Sequence, residues 1–199
     1  MNAKGGINGK QVKVLEYDDK GDGVEAVNAY NLACDNGITA VFGATLTGPT
    51  IALADATYED NMPQITASAT AAGVTVIDPD DPNSEVRTNV FRACFIDPYQ
   101  GEKMADYAVN VLGAKTAAVF YETGSDYSEG LMNAFVEKAE ELGLEVVASE
   151  AFATGDKDFK AQMTNIASKS PDVVFCPIYY GEAGLAITAA RQAGCTATF

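Results

Sequence analysis

Two clusters of small hydroxyl residues stand at the ends of successive apolar runs: Thr45/Thr47/Thr50 in V-F-G-A-T-L-T-G-P-T and Thr66/Ser68/Thr70 in P-Q-I-T-A-S-A-T. One helix-length segment separates them. In a parallel α/β sheet the carboxyl ends of neighbouring strands share one edge, where ligands usually sit. Hydroxyls and free backbone amides gathered on such an edge suit gripping a small zwitterion or anion more than transforming one, because no catalytic base stands among them. Histidine is absent from the whole chain. That removes the usual general base, the commonest metal ligand and any Ser-His or Cys-His pair.

Other chemical signatures fail on spacing. D-D-K-G-D-G, from Asp18 to Gly23, resembles the start of a calcium loop, but Lys20 occupies a ligand position and Ala29 sits where a bidentate Glu belongs. It reads as a strand-to-helix turn. Gly9-Lys10 lacks the upstream Gly and the following Ser/Thr of a phosphate loop, so Asn8-Gly9 reads as a tight turn. Neither G-x-G-x-x-G nor G-x-S-x-G occurs. Cys34, Cys94, Cys176 and Cys195 form no C-x-x-C pair and read as small buried hydrophobes. No metal or cofactor is expected.

The elements that would position the hydroxyls alternate between strand and helix. The apolar patterning predicts strands at 11–17, 38–44, 64–67, 90–96, 116–121, 145–151 and 173–178. Helices are predicted at 22–35, 49–61, 99–112, 129–142, 159–168 and 182–193. Such βαβ alternation implies parallel sheets with right-handed crossovers. The rhythm breaks between Ala71 and Asn89, where a long acidic, turn-rich stretch reads as a functional or inter-lobe loop. Its D-P-D-D-P-N run has no ordered ligand spacing and reads as solvated charge. A lobe boundary is expected at 93–97, giving lobes 1–93 and 97–199.

With 47% hydrophobic residues the chain can bury a sizeable core, which excludes a disordered protein. A net charge of -15 works against nucleic acid and anionic membrane surfaces, both of which recruit Lys and Arg. No apolar run approaches the ~18 residues of a transmembrane helix, so no direct membrane insertion is expected in this segment. The start M-N-A-K-G-G does not read as a signal peptide.

Taken in order, G-G-I-N-G-K, V-F-G-A-T-L-T-G-P-T, P-Q-I-T-A-S-A-T, V-F-R-A-C-F-I-D-P-Y-Q-G, D-Y-S-E-G-L, T-G-D-K-D-F and P-D-V-V-F-C-P-I-Y-Y-G-E resemble successive landmarks of the branched-chain amino acid type of periplasmic binding protein. The resemblance runs from Gly5 to Phe199. It implies two Rossmann-like, flavodoxin-like lobes with parallel sheets that close on a ligand like a flytrap, and delivery of that ligand to the membrane permease of an ABC importer. It also implies a chain truncated at both ends, with a strand and helix upstream of Met1 and the rest of the second lobe beyond Phe199. The missing first strand would leave a seam of unpaired backbone on the first sheet. An extracytoplasmic, periplasmic or cell-surface protein is expected.

Residue by residue, the resemblance places Thr47 on the ligand's α-carboxylate and Thr70 on carboxylate and ammonium. Ser68 would offer its backbone carbonyl beside Ala69, and Thr45 and Leu46 would line the side-chain pocket. Tyr127 and Tyr179 would fold over the ligand from the second lobe. The acidic partner of the ammonium would lie beyond Phe199. The same residues admit structural readings, Thr47 as a helix cap and the tyrosines as aromatic core. Two other functions share the pattern: the ligand-sensing domain of a receptor or amide regulator, and a flavodoxin-like enzyme with Tyr121, Glu122, Asp126 and Tyr127 as its polar cluster. No enzymatic activity is expected.

Overall fold

The computed structural model describes residues 1–199. Val41–Phe42 (β1), Gln64–Thr66 (β2) and Val90–Arg92 (β3) form one parallel sheet in that order. Thr116–Thr123 (β4), Glu145–Ala153 (β5) and Val173–Phe175 (β6) form a second, with β4 between the other two. Gly23–Asp35 (α1) and Thr47–Glu59 (α2) belong to the first sheet. Asp97–Asn110 (α3), Asp126–Leu142 (α4), Lys160–Lys169 (α5) and Tyr180–Gln192 (α6) belong to the second. Only Ala93–Ile96 separate the last strand of the first sheet from the first helix on the second.

The second sheet is buried on both faces because β4 carries no polar alternation. Side chains on a strand point to opposite faces in turn. Ala118 and Phe120 therefore pack with Phe159, Met163 and Ile166 of the α5 side, while Ala117 and Val119 pack with Ala105, Phe135 and Ala139 of α3 and α4. A run apolar at every position is what a parallel sheet with two helical layers requires. The first sheet differs. Phe42, Ile65 and Phe91 lie in register across it and are all exposed, so one of its faces carries an open apolar row.

Helices α3 and α4 approach closely at Gly101, where a Cβ would stand 2.7 Å from both the Ala134 Cβ and the Leu131 carbonyl oxygen. Gly101→Ala is expected to cost about 1–3 kcal/mol, since backbone on the far side cannot yield as a side chain can. Urea unfolding checks this: an unchanged midpoint would show that the helices can part without cost.

Several boundaries differ from the sequence expectation, each for a physical reason. Residues 11–17 form no strand; Val12 exchanges two hydrogen bonds with the Asn2 side chain, at 2.7 and 2.8 Å, and no ladder runs alongside. A strand needs a neighbour for its amides, and β1 pairs only with β2. The strand expected at 38–44 shrinks to β1. The one expected at 90–96 ends at Arg92, where the chain turns into α3, and the one at 173–178 ends at Phe175, two residues before Pro177, which lacks a ladder donor. Helix α2 starts ahead of Pro49, which falls in the first turn where amides have no intrahelical partner.

The stretch from Ala71 to Asn89 is not a free loop. It holds a short 3-10 helix at Ala72–Val74, an antiparallel bridge between Val76 and Val86, and a buried Arg87. Arg87 donates to the Gly73 and Val76 carbonyls at 2.7 and 2.6 Å and pairs with the Asp55 carboxylate. The acidic run at its tip is exposed. All four cysteines are free; Cys195 is buried as expected, while Cys34, Cys94 and Cys176 are only partly so. No helix is long and apolar enough to cross a membrane.

Candidate ligand-binding site

The carboxyl ends of β1 and β2 are stitched together by the residues that the sequence singles out. Thr66 donates its hydroxyl to the Ala44 carbonyl at 2.8 Å, and Ser68 donates to the Thr45 carbonyl at 2.7 Å. The Thr70 amide donates to the Thr47 hydroxyl oxygen at 3.3 Å. Thr45, Thr47, Ser68, Ala69 and Thr70 thus share one sheet edge. Thr45 and Ser68 are exposed, whereas Thr47, Ala69 and Thr70 are buried.

The hydroxyls divide by what they already bind. Thr66 is engaged by Ala44, and Thr50 turns back on its own helix to donate to the Leu46 carbonyl at 2.7 Å. Thr50, one helical turn further from the ligand-facing edge than Thr47, is therefore a structural residue. Thr47 is not the cap of α2 either. Leu46 holds that position without a side-chain bond, and Thr47 is the first helical residue. Its hydroxyl takes the Thr70 amide as donor, which leaves its own hydrogen free. The unpaired amides at the start of α2 and the positive end of the helix dipole lie beside it, an environment that favours an anion. Ala69 packs with Ala54, Val74 and Val90, and its carbonyl accepts from Arg92 at 3.3 Å. Arg92 also donates to the Ala71 carbonyl and the Thr75 hydroxyl, at 2.7 and 2.9 Å, which fixes the turn carrying Thr70.

From the second sheet come two tyrosines. Tyr127, in the first turn of α4, and Tyr179, preceding α6, stack with ring centroids 5.2 Å apart and planes within 5°. They are half-buried and lie against one another, so neither ring is a fully buried core side chain. Burial raises the Tyr127 hydroxyl above its ordinary range, with the charge of Asp97 adding and Gln100 opposing. Burial also pushes Tyr179 up to about 12, with Tyr127, Glu122 and Asp97 adding to the rise. The Thr47 amide lies near enough to the Tyr179 hydroxyl to oppose that rise, so the first sheet's edge and the second sheet's tyrosines meet. Both rings are neutral hydrogen-bond donors at physiological pH.

Sequence reasoning misses Asp97. It opens α3, is only 2% exposed, and its amide donates to the Thr70 carbonyl at 3.1 Å. Neither of its carboxyl oxygens, nor the Thr70 hydroxyl, completes a hydrogen bond of good geometry. Burial pushes the carboxyl up to about 6; Asp126 raises it further, while the facing Thr70 hydroxyl and the Arg92 charge pull it down. The signal that could have found it is the single acid that ends the apolar run A-C-F-I-D ahead of Pro98. Of the polar residues near Tyr121, Asp126 is exposed and Glu122 accepts from the Thr154 hydroxyl.

Comparison with known proteins agrees with this architecture. A family model described as periplasmic binding protein matches residues 1–199. A Leu/Ile/Val-binding protein homologue of Brucella melitensis is 32% identical over 98% of this chain and 50% of its own length. The crystal structure of a leucine binding protein from Thermotoga maritima superposes with a TM-score of 0.87 at 35% identity, covering 98% of this chain and 53% of that one. A branched-chain amino acid transporter substrate binding protein from Streptococcus pneumoniae, solved with isoleucine, gives 0.86 at 33% identity over 98% of this chain and 53% of that chain. The chain spans about half the length of the curated relatives it matches. With its two parallel sheets and a match along its whole length, the chain belongs to the periplasmic binding protein family, with the type I fold.

Proposed function

We propose that this chain carries the ligand grip of an extracytoplasmic solute-binding protein that captures a small branched-chain type amino acid between two lobes, 1–93 and 97–199, hinged at 93–97. The protein delivers its ligand to the permease of an ABC importer and performs no chemistry of its own. The observation that carries this reading is the cross-bonded edge of Thr45, Thr47, Ser68 and Thr70 facing the stacked Tyr127 and Tyr179. The similarity to Leu/Ile/Val-binding proteins supports it.

In this reading the ligand's carboxylate accepts hydrogen bonds from the Thr47 hydroxyl and the free amides at the start of α2. The ammonium meets the Thr70 hydroxyl and the Ser68 carbonyl, and Thr45 lines the space for the side chain. Each hydrogen bond to a charged ligand group contributes about 1.5–3 kcal/mol. Closure brings the neutral tyrosine pair over the ligand and removes water, which strengthens those bonds. Capture and release need no groups beyond these.

The test is titration calorimetry of the complete gene product with leucine, isoleucine and valine, followed by mass spectrometry of the recovered ligand. Stoichiometric binding of an unaltered amino acid is expected. A folded protein that binds none of the three, or that converts its ligand, would overturn the reading.

A further inference from the structure

We propose that Asp97 is a positioning residue that sets the direction of the Thr70 hydroxyl and so makes the site discriminate ligands bearing an ammonium from ligands bearing only a carboxylate. This rests on the binding reading above. The Thr70 hydroxyl and both carboxyl oxygens of Asp97 lack good hydrogen-bond partners, and they are neighbours, since the Asp97 amide bonds the Thr70 carbonyl at 3.1 Å and the Thr70 hydroxyl acts on the Asp97 carboxyl. The backbone groups around them are engaged, the Thr70 amide by the Thr47 hydroxyl and the Thr70 carbonyl by the Asp97 amide. What remains free at Thr70 is its hydroxyl alone.

A threonine hydroxyl has one hydrogen to donate and lone pairs to accept. An ionised Asp97 can only accept, so it draws the Thr70 hydrogen toward itself and leaves the lone pairs facing the cleft, where they receive an ammonium. A protonated Asp97 donates to Thr70 instead and turns the Thr70 hydrogen outward, which favours a carboxylate. The surroundings keep this choice open. Arg92, the nearest cation, is held by the Ala69 and Ala71 carbonyls and the Thr75 hydroxyl and forms no ion pair with Asp97. From α4 the charge of Asp126 opposes ionisation, and Tyr127 stands within the field of Asp97; Tyr179 does so from the start of α6. Gly130 of α4 leaves room for the carboxyl, since a Cβ there would lie 3.0 Å from Oδ2.

The experiment compares leucine with its des-amino analogue 4-methylpentanoate, by calorimetry of the complete gene product. In the parent, leucine affinity is full above about pH 6 and falls below it, because the ammonium favours ionised Asp97. Binding of leucine near that pH releases a proton, read from heats in two buffers, and this needs no variant. The analogue shows no fall in affinity near pH 6 and releases no proton. Asp97→Ala lowers leucine affinity roughly 10-fold at neutral pH and changes the analogue by less than about 3-fold. Asp97→Asn, which keeps an acceptor for the Thr70 hydrogen, restores most of the leucine affinity and removes the pH dependence. Leucine affinity independent of pH in the parent overturns the assignment. So does an equal loss for both ligands in Asp97→Ala, or a parent-like pH midpoint in Asp97→Asn. If the folded parent binds no amino acid at all, the binding reading fails first and this assignment with it.

Discussion

Thr70→Ala is expected to weaken leucine binding roughly 10-fold to 100-fold, the equivalent of one hydrogen bond to a charged partner at about 1.5–3 kcal/mol. Thr70 is 4% exposed, and the Asp97 carboxyl is the one protein group its hydroxyl faces, without a hydrogen bond of good geometry. Most of the loss therefore falls on the ligand. A control hydroxyl must be one that closes a local bond away from the edge. Thr50 does not serve, although sequence spacing puts it one turn further along α2, because it is fully buried and bonded to Leu46. Thr188 does: it is exposed on α6 and donates to the Gly184 carbonyl in its own helix at 2.7 Å. Calorimetry of Thr70→Ala and Thr188→Ala side by side decides the matter. Equal affinity for Thr70→Ala and the parent, with matching thermal unfolding, would show the hydroxyl to be structural.

The second large effect is on stability. Arg87→Met is expected to cost about 3 kcal/mol, because it keeps the apolar stem but strands two carbonyls that accept charge-assisted bonds. Arg87 is 4% exposed and is the one cation reaching the Gly73 and Val76 carbonyls. Its Asp55 partner is largely exposed and stays solvated, so the cost comes from the carbonyls more than from the ion pair. Two measurements check this. The urea midpoint should fall, and the exposed tip at 78–83 should be cut faster by a protease, since the arginine clamps the turn below it. If both are unchanged, the Val76–Val86 bridge alone holds the segment.

The kinds of elements and their order are legible in the sequence because they depend on near neighbours. A-A-V-F is apolar at consecutive positions, so it makes a strand buried on both faces, and β4 is that strand. Asp22 before an amphipathic run marks a helix start, and its carboxylate accepts from the Val24 and Glu25 amides at 2.9 and 3.0 Å. The placing of hydroxyls at two strand ends is likewise readable, since a parallel sheet puts those ends on one edge. Which hydroxyls remain free is decided only in three dimensions. Thr66 and Thr70 look alike in P-Q-I-T-A-S-A-T, yet Thr66 bonds Ala44 while the Thr70 hydroxyl is left unpartnered. Residues 11–17 have a strand's composition but no strand beside them, so their amides cannot form a ladder. Asp97 is one acid among 28 in the sequence until the fold buries its carboxyl beside Thr70. Such pairings join residues far apart along the chain, as Thr47 and Thr70 are, and a hydrogen bond is allotted by distance in space, which no local pattern records.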